Sequence, residues 1–546
     1  MVHINDTHSH FESSPLQMQL PLEQQIIKVN AACGGYSLLD SFVGKQRAIA
    51  EQENAGFLFL HAGDSFEGSI YFSCFQGLSN AQILNEMGVD AMTVGNHELD
   101  TGDELLARFV KRVNFPVLSA NMRLAETGNS PLNQYSEKLR IYSDNTDKPA
   151  YLIKNINGLQ MAIFGLSLSD MHDIANPSPD LYFIDQISCA QTLVDQINAA
   201  GITSIIVLSH LGIAQDCLLA EAVSGISLIV GGHSHTLQGD FSNVGLAKET
   251  PYAQRVNNSY VLQAGCNAIA AGLVDITFSP SGKIINISGG NKLLLAKDSV
   301  TTNSSKQEDA QPALLRYLSQ QENISFEINS ERIEKIMDEH FRPQIARFKN
   351  DIVGQVLTRK RHLRIPDAQG GSQVAPLVAH SLLYYAQKHA HHVDFAIING
   401  GAIRSSLSQA PLTVALITGQ LLPFRIAVQS AKVTGETLFQ TIDCAVKNSA
   451  LPEGSTGSYP YFSKLSIELK STELCDGINE IYQQKTDGEW FEIDRDKVYS
   501  IITTSYIACG KGGYSPLGAN KWDVHDFAIT PSDAFIDYLR EFKTVN

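Results

Sequence analysis

Residues 1 to about 290 alternate short apolar runs with longer amphipathic stretches, and no other feature of the sequence limits the fold as strongly. The apolar runs have the length and composition of buried strands. They are Phe57–Leu60, Ala91–Val94, Met161–Leu166, Ser204–Leu208 and Ser227–Val230. Helical periodicity covers residues 36–53, 79–88 and 189–200. Strands that alternate with helices in this way predict an α/β layered domain.

The length of the chain predicts more than one domain. At 546 residues it exceeds what one hydrophobic core usually supports. We assign residues 1–295 to a first domain. The polar stretch "KDSVTTNSSKQEDAQ" and the helical spacing of "SERIEKIMDEHFRPQIARF" predict a linker and a connecting helix within residues 296–350. Residues 351–546 form a second domain, with strands predicted at Val393–Ile398, 462–469 and 498–504 and a helix near 431–447.

The composition excludes several classes of partner. Acidic residues outnumber basic ones 57 to 41, and the formal net charge of -16 argues against nucleic acid or anionic membranes as general partners. No apolar run approaches the roughly 18 residues that would span a bilayer. The eight cysteines include no C-x-x-C pair, so neither a thiolate zinc site nor a dense disulfide framework is indicated.

The N-terminal residues bear on the cellular compartment. Met1 is followed at once by "VHINDTHSH", without a basic region and an apolar region ahead of it. As written, the sequence predicts a cytoplasmic protein. If this start is a processed or trimmed one, the prediction becomes a periplasmic or secreted protein. The oligomeric state is not predicted by any feature of the sequence.

Five predicted strands of the first half are each followed by side chains that bind metal ions. Because the carboxyl ends of strands meet along one edge of an open α/β sheet, these groups can converge. Imidazoles, carboxylates and one amide suit Zn, Mn or Fe better than Ca or Cu(I). Seven ligands exceed one tetrahedral site, so we expect two divalent ions with Asp64 as the natural bridge. The seven are Asp6, His8, Asp64, Asn96, His210, His233 and His235.

Each motif taken alone has an ordinary structural explanation. Asp6-Thr7-His8 fits a turn closed by the aspartate side chain, "GDSFEG" fits a surface turn, and His210 fits a histidine at a strand end. The two histidines of "GGHSHT" beside flexible glycines favour a metal site even alone. The metal hypothesis rests on the joint occurrence of the five motifs.

The motifs "INDTHSH", "GDSFEGS", "GNHELD", "LSHLG" and "GGHSHT", in this order, resemble the calcineurin-like metallophosphoesterases. Within them the chain resembles the 5'-nucleotidase family, which includes the bacterial UDP-sugar hydrolases, and the second half adds "NGGAIR", "LLPF" and "YIACGKGGY". The resemblance implies a four-layer N-terminal β-sandwich flanked by helices, a connecting helix and a smaller C-terminal α/β (α+β) substrate-binding domain. It also implies the ligand assignment: Asp6, His8 and His235 bind one ion, Asn96, His210 and His233 bind the second, and Asp64 bridges.

The resemblance implies a dinuclear phosphohydrolase that removes phosphate from nucleoside 5'-monophosphates by in-line attack of a metal-bound hydroxide. The sequence contains no G-x-S-x-G elbow and no G-x-x-x-x-G-K-[ST] loop that would supply another mechanism. Two alternatives stay open. One is a UDP-sugar or 2',3'-cyclic-nucleotide phosphodiesterase on the same scaffold. The other is a non-catalytic nucleotide-binding relative.

His97 and Asp100 are predicted to be catalytic. His97 follows the ligand Asn96 directly, so its side chain leaves in another direction and can face the substrate. Asp100, three residues later, can orient the imidazole and favour its protonated form. The alternative for Asp100 is a helix N-cap before Thr101-Gly102. We predict no specific role for Glu98.

Four substrate contacts are predicted in the second domain by the resemblance. Arg404 of "NGGAIR" is the expected bidentate phosphate contact, with Asn399 nearby; the alternative for Arg404 is an interdomain salt bridge. Phe424 and Tyr506 match the aromatic pair between which the family stacks a base.

Two stretches depart from the family pattern. The run "RKRHLRIPDAQGGSQVAPL" offers Arg361 or Arg364 as a further phosphate contact, although such a charge run more often forms a solvated face. In "CGKGG", Lys511 and Gly512 stand where relatives have an aspartate that is thought to meet the nucleoside. Base preference is therefore left open.

Overall fold

The computed structural model describes the chain except residues 23–24, 126–129, 136, 143–148, 303–306, 425, 452–453, 486–487, 520–523, 528 and 546. It divides into two compact units, Met1–Pro343 and Gln344–Asn546. Within the described ranges, no helix combines the length and apolar character needed to cross a membrane.

The first unit is built on two sheets. In the larger sheet nine strands follow one another in the spatial order Thr301–Thr302, Gln25–Cys33, Ile284–Ala296, Ala270–Phe278, Val2–Ile4, Phe59–His61, Ala91–Thr93, Val117–Ser119 and Leu139–Ile141, while Ser14–Leu22 pairs with Gln25–Cys33 and Ile324–Glu327 with Ile284–Ala296. The second sheet has the order Gln254–Val256, Ser259–Leu262, Leu228–Val230, Ser204–His210, Leu159–Ser167 and Tyr151–Ile156. A small third sheet pairs Leu181–Phe183 with Met122–Leu124.

The hydrophobic core of this unit lies between the two large sheets. Leu60 and Leu118 from the first sheet are buried in one cluster with Ile163, Ile206 and Val230 from the second. Helices pack on the outer faces: Tyr36–Gln52 contacts the larger sheet, and Gln186–Ala199 and Ile213–Ala222 contact the smaller one. The order helix, sheet, sheet, helix is the predicted four-layer sandwich, and the predicted mixed α/β class is confirmed.

The remaining helices of the first unit are Ile70–Phe75, Leu78–Met87, Asp103–Arg112, Met171–Ile174, Gln307–Ser319 and Glu331–Ile336. The strands and helices predicted from periodicity for this unit are present, and its five predicted strands end within two residues of their predicted limits. Buried apolar runs define strands well because both faces of these parallel strands are covered.

Parallel pairing sets the carboxyl ends of the central strands at one edge. In the larger sheet Ile4 pairs with His61, and Leu60 with Ala91, in parallel register. In the second sheet Leu208 pairs with Val230 in the same sense. The loops that follow these strands therefore leave the sandwich together, as the sequence analysis expects.

The hairpin of Ser14–Leu22 and Gln25–Cys33 is not predicted by the sequence analysis. Two prolines, Pro15 and Pro21, fall inside its first strand. Proline has no N–H group to donate a hydrogen bond to a neighbouring strand, so it is tolerated mainly at the edge of a sheet. Among the described residues this strand pairs on one side alone, so the edge position explains why the prolines are compatible with it.

Residues 296–350 contain more regular structure than a linker. Thr301–Thr302 and Ile324–Glu327 belong to the larger sheet, and strands this short leave no periodic signal; residues 303–306 of the polar stretch lie outside the described residues. The predicted connecting helix consists of Glu331–Ile336, a π-helical turn at Met337–Phe341, and Arg342–Asn350. The proline at position 343 interrupts the α-helical bonding there. The domain limits 1–295, 296–350 and 351–546 stay predictions.

The second unit has three sheets. A five-stranded sheet has the order Pro460–Ser463, Phe395–Asn399, Val498–Thr504, Val428–Thr434 and Val524–Asp526. Two three-stranded sheets consist of Pro411–Thr413, Ile352–Val356 and Thr544–Val545, and of Leu465–Leu469, Ile478–Gln484 and Trp490–Glu492. The helices are Ala375–Lys388, Val414–Leu416, Gly435–Ala450, Ser505–Ala508, Ser515–Gly518 and Pro531–Phe542, with a π-helical turn at Ile417–Leu421. In the second unit the strand predicted at 462–469 is instead two strands in different sheets, Pro460–Ser463 and Leu465–Leu469, and residues 431–434 of the predicted helix belong to a strand.

Candidate active site

The seven side chains predicted as metal ligands meet at the carboxyl edge of the two sheets. The ligand atoms of Asp6, His8 and His235 all lie within 4.8 Å of one another. Those of Asp64, His210 and His233 form a second group with the same spacing. The Asn96 amide oxygen lies 2.9 Å from Nδ1 of His233 and so joins the second group. The structure brings together the two sets that the resemblance implies; their roles as ligands stay predictions.

The separations between these atoms fit divalent ions. Atoms bound to one ion at about 2.1 Å, at tetrahedral or octahedral angles, lie about 3.0 to 3.4 Å from each other. Nε2 of His235 is 3.0 Å from Nε2 of His8 and 3.4 Å from Oδ1 of Asp6. Nε2 of His210 is 3.1 Å from Oδ2 of Asp64. This Nε2 atom of His210 is buried and lacks a well-formed hydrogen bond. An imidazole nitrogen in that position has a metal ion as its natural partner.

The electrostatic field of the site favours positive charge. Asp6 and Asp64 are buried with at most 1% of their surface exposed. Burial lowers the pKa of His210, but the carboxylate of Asp64, with a smaller contribution from Asp6, outweighs burial and raises this pKa to about 9. Buried carboxylates are expected to be paired with cations or to bind metal ions.

The ligand loops hold their backbones in a strained conformation. Asp6, His8, Asp64, His233 and His235 all have positive φ angles, between 47° and 73°. Non-glycine residues adopt this region rarely, at a cost on the order of 1 kcal/mol or more each, and such strain concentrates at functional sites. Five of the seven predicted ligands share it, which supports a functional origin for these loops.

Two glycines are required by close packing against the ligands. A Cβ atom on Gly95 would lie 2.2 Å from Oδ1 of Asp64. A Cβ atom on Gly232 would lie 2.6 Å from the Ala62 carbonyl oxygen and 2.9 Å from Nδ1 of His210. These approaches are shorter than any real Cβ contact, so the glycines of "GNHELD" and "GGHSHT" allow the ligands to come together.

His97 lies beside the ligand cluster and is oriented by Asp100. Nδ1 of His97 is 2.5 Å from Oδ2 of Asp100, and Nε2 is 3.9 Å from Oδ2 of Asp64. Burial opposes protonation, but the carboxylates of Asp100 and then Asp64 outweigh it and hold the pKa of His97 well above its ordinary value. The geometry suits a cationic imidazole that faces a negatively charged substrate.

Two details of the structure bear on the predicted dyad. The helix that begins at Asp103 has Gly102 at its N-cap position, so Asp100 does not cap it and the N-cap alternative is wrong. The ligand atoms of His97, His8 and Asp64 also lie within 4.8 Å of one another. The position of His97 therefore allows either a substrate contact or a metal contact.

Glu98, for which the sequence predicts no specific role, holds two loops of the site together. Its buried carboxylate accepts hydrogen bonds from the backbone N–H groups of Asp64 (2.9 Å), Ser65 (2.8 Å), Phe66 (3.1 Å) and Gly95 (2.8 Å), and from the Ser65 hydroxyl. One side chain thus ties the loop that carries Asp64 to the loop that carries Asn96. The sequence gives one weak signal, an acidic residue two positions after the predicted ligand Asn96 and directly before the apolar Leu99.

We expect Glu98→Gln to weaken metal binding by about 10 to 100-fold, the range for residues that orient metal ligands. Oε2 of Glu98 accepts from the N–H groups of Asp64 and Gly95, and Oε1 accepts from those of Ser65 and Phe66. Glutamine has only one acceptor oxygen, so one of these two pairs of N–H groups loses its acceptor. Competition with a chelator measures the affinity. Glu104→Gln, at an exposed position in the following helix, is the control. Equal affinities in both variants would rule out this role.

In the second unit, Arg404 and Arg364 form a cationic pair next to Phe424. Burial and then the guanidinium of Arg364 lower the pKa of Arg404, and no carboxylate of the described residues contributes to it. The Arg404 guanidinium lies 5.5 Å above the Phe424 ring. Asn399 and Phe424 line one cleft, which also contains Thr504. Two neighbouring cations without a carboxylate at an aromatic cleft can bind an anion.

Arg361 and Arg364 differ in their surroundings. Arg361 donates to both oxygens of Asp367, at 3.1 and 2.9 Å, and also donates to the Gly370 carbonyl. The guanidinium of Arg361 therefore stabilises the loop in which it lies. The side chain of Arg364 is exposed. Of the two alternatives that the sequence leaves open, this arrangement favours Arg364 as the substrate contact.

The remaining predicted substrate residues lie in the same unit. Nδ2 of Asn399 donates to the Gly457 carbonyl at 3.1 Å. Tyr506 is partly buried against the core of the unit. Gly512, at φ 61°, packs on this ring so closely that a Cβ atom would lie 2.8 Å from it. The departure from the family pattern at position 512 thus has a local steric reason, because a side chain there would displace Tyr506.

Two family profiles match the chain. "Calcineurin-like phosphoesterase" matches residues 1–237, which contain all seven predicted ligands. "5'-nucleotidase, C-terminal domain" matches residues 345–519, which contain Asn399, Arg404, Phe424 and Tyr506. The first of these families implies divalent metal ions.

Similar proteins cover the whole chain. A probable 5'-nucleotidase of Treponema pallidum is 31% identical over 567 residues, covering 100% of this chain and 92% of that protein. An NAD 5'-nucleotidase of Haemophilus influenzae is 26% identical and covers 99% of this chain and 90% of that protein. The crystal structure of a 5'-nucleotidase precursor from Thermus thermophilus aligns with a TM-score of 0.69 and 25% identity, covering 100% of this chain and 96% of that one.

Proposed function

Because the chain belongs to the 5'-nucleotidase family of calcineurin-like phosphoesterases, we propose that it removes phosphate from nucleoside 5'-monophosphates with two bound divalent metal ions. The observation that carries the proposal is the convergence of two ligand groups, each with atoms within 4.8 Å of one another, beside the His97–Asp100 pair.

The chemistry of the reaction is divided between metal ions and side chains. When bound, a pair of divalent ions lowers the pKa of water, orients the phosphoryl group and neutralises charge as the ester is displaced. His97, held by Asp100, presents Nε2 on the same side as Asp64 and can donate a proton or a charged hydrogen bond to the ester oxygens. Glu98 keeps Asp64 in place through its backbone.

The second unit supplies groups for the nucleotide itself. Arg404 and Arg364 are suited to bind oxyanions, and the Phe424 ring offers an apolar face for a base. That a relative is named an NAD 5'-nucleotidase supports nucleotides as the substrate class for this chain as well. We assign Asn399 and Tyr506 to the same pocket, following their match to the family.

A substrate panel tests the proposal. Metal-loaded protein is assayed against AMP, UMP, a UDP-sugar, 2',3'-cyclic AMP and an aryl phosphate. We expect release of inorganic phosphate from AMP or UMP with a kcat/KM at least about tenfold above that for the aryl ester. Turnover of the aryl ester alone, or of none of the five, would contradict the proposal.

We also expect Arg364→Ala to raise the KM for AMP by about tenfold or more, because a charge-assisted contact to an oxyanion contributes roughly 1.5 to 3 kcal/mol. Arg361→Ala is the matched control, since its guanidinium is bound to Asp367 and Gly370. Steady-state kinetics on both variants give the comparison. A larger KM increase in Arg361→Ala than in Arg364→Ala would reverse the assignment.

A further inference from the structure

Two backbone segments of the second unit, residues 360–364 and 400–407, run side by side, and each carries one arginine of the cationic pair. Lys360 and Leu407 exchange two backbone hydrogen bonds of 2.9 Å. At the other end a Cβ atom on Gly400 would lie 2.7 Å from the Arg364 carbonyl oxygen. The separation of the two guanidiniums therefore depends on how firmly these segments are held together.

His362 lies in the first of these segments, and its imidazole has a defined protonation state. Nδ1 is 2.9 Å from the hydroxyl oxygen of Ser372. That oxygen already accepts from the backbone N–H groups of Val374 (3.2 Å) and Ala375 (2.9 Å). A hydroxyl with both acceptor positions in use must donate its proton, so Nδ1 of His362 accepts and the neutral ring carries its proton on Nε2. Burial lowers the pKa of His362, which agrees with a neutral ring.

The other side of the ring faces the second segment. Nε2 is buried next to the backbone carbonyls of Gly400 and Ile403 and forms no hydrogen bond of good geometry. The guanidiniums of Arg364 and Arg404 are both close enough to lower the pKa of His362. The ring thus fills the space between the start of the Ala375–Lys388 helix and the turn that leads to Arg404.

We propose that His362 is a positioning residue that holds Arg364 and Arg404 side by side for anion binding. This inference rests on the proposed function, in which the pair receives the substrate oxyanion. Two guanidiniums repel each other, and a neutral ring connected to a helix start keeps them together without adding a third charge. Fixing the pair before the ligand arrives lowers the entropy cost of binding. Without the ring, the two segments can separate until an anion brings them together.

The test compares His362→Ala with His380→Ala in the full-length, metal-loaded protein. His380 is the control: it lies in the same unit, is exposed, and likewise has its Nδ1 near a serine hydroxyl, 3.3 Å from that of Ser463. We expect His362→Ala to raise the KM for AMP about tenfold with kcat within about twofold of wild type, the pattern of lost binding without lost chemistry. We expect His380→Ala to change neither value beyond about twofold.

A rescue variant and a direct binding measurement complete the test. The amide nitrogen of His362→Gln can reach the position of Nε2, and we expect this variant to recover most of the wild-type KM. Calorimetric titration of inorganic phosphate into chelator-treated full-length protein reports on the arginines without turnover, and here we expect about tenfold weaker binding in His362→Ala than in wild type.

The outcomes separate the two proposals. If wild-type protein hydrolyses no nucleotide but His362→Ala still weakens phosphate binding, the proposed function fails and the role of His362 stands. If wild type hydrolyses AMP and His362→Ala shows unchanged KM and unchanged phosphate affinity, the proposed function stands and the role of His362 is refuted. Equal KM increases in His362→Ala and His380→Ala would mean loss of structure and would also refute it.

Discussion

Asp64→Ala is expected to lower kcat for AMP by about 10³-fold or more, because a metal pair supplies several kcal/mol of transition-state stabilisation and the bridge holds the pair. Oδ2 of Asp64 lies 3.1 Å from His210, and Oδ1 accepts the backbone N–H of His97 at 2.9 Å. Removal of this carboxylate affects both predicted metal positions and His97, the predicted catalytic histidine. Steady-state kinetics and metal analysis by mass spectrometry are the measurements.

Two further variants make the Asp64 experiment decisive. Asp240→Ala removes an exposed carboxylate of the same unit and should retain wild-type turnover and metal content. Asp64→Gly addresses folding, since Asp64 has φ 55° and glycine adopts that conformation without strain. We expect Asp64→Gly to fold and yet to lose metal and activity. A variant at position 64 that retains both ions and more than about a tenth of wild-type turnover would contradict the bridging role.

His97→Ala is expected to retain both metal ions and to lower kcat by about 10²-fold or more, the usual contribution of general acid–base catalysis. The reason is the position of the His97 ring. Its Nδ1 is 2.5 Å from Oδ2 of Asp100, and its Nε2 is 3.9 Å from Oδ2 of Asp64. The measurements are kcat on AMP and metal content of the purified variant. His172→Ala, which removes an exposed histidine of the same unit, serves as the control.

The same experiment decides between the two positions that the geometry allows for His97. A variant with low turnover and full metal content places His97 against the substrate. A variant that loses an ion makes it a ligand in the group with His8 and Asp64. Unchanged turnover would exclude both roles.

The predicted metal ligands and the His97–Asp100 pair can be found from the sequence because each depends on a local sequence pattern. Each of the seven predicted ligands follows or ends a short apolar strand, and parallel pairing of those strands is enough to bring their ends to one edge. The His97–Asp100 pair is equally local, because three residues separate its members. Spacing and residue type therefore suffice for both.

The parts that the sequence does not predict depend on contacts between distant segments. Glu98 binds the backbone of Asp64, Ser65 and Phe66, 32 to 34 residues earlier in the chain, and side-chain type does not reveal a backbone partner. The choice between Arg361 and Arg364 depends on which of them meets Asp367. The positive φ angles of five predicted ligands are likewise not predicted by residue type, because none of the five is a glycine.

Anomalous X-ray scattering from crystals of the manganese- or zinc-loaded protein shows whether the seven predicted ligands bind two metal ions. We expect two peaks about 3.5 to 4 Å apart on either side of Asp64, one beside Asp6, His8 and His235 and the other beside Asn96, His210 and His233. A single peak, or peaks away from Asp64, would contradict this prediction.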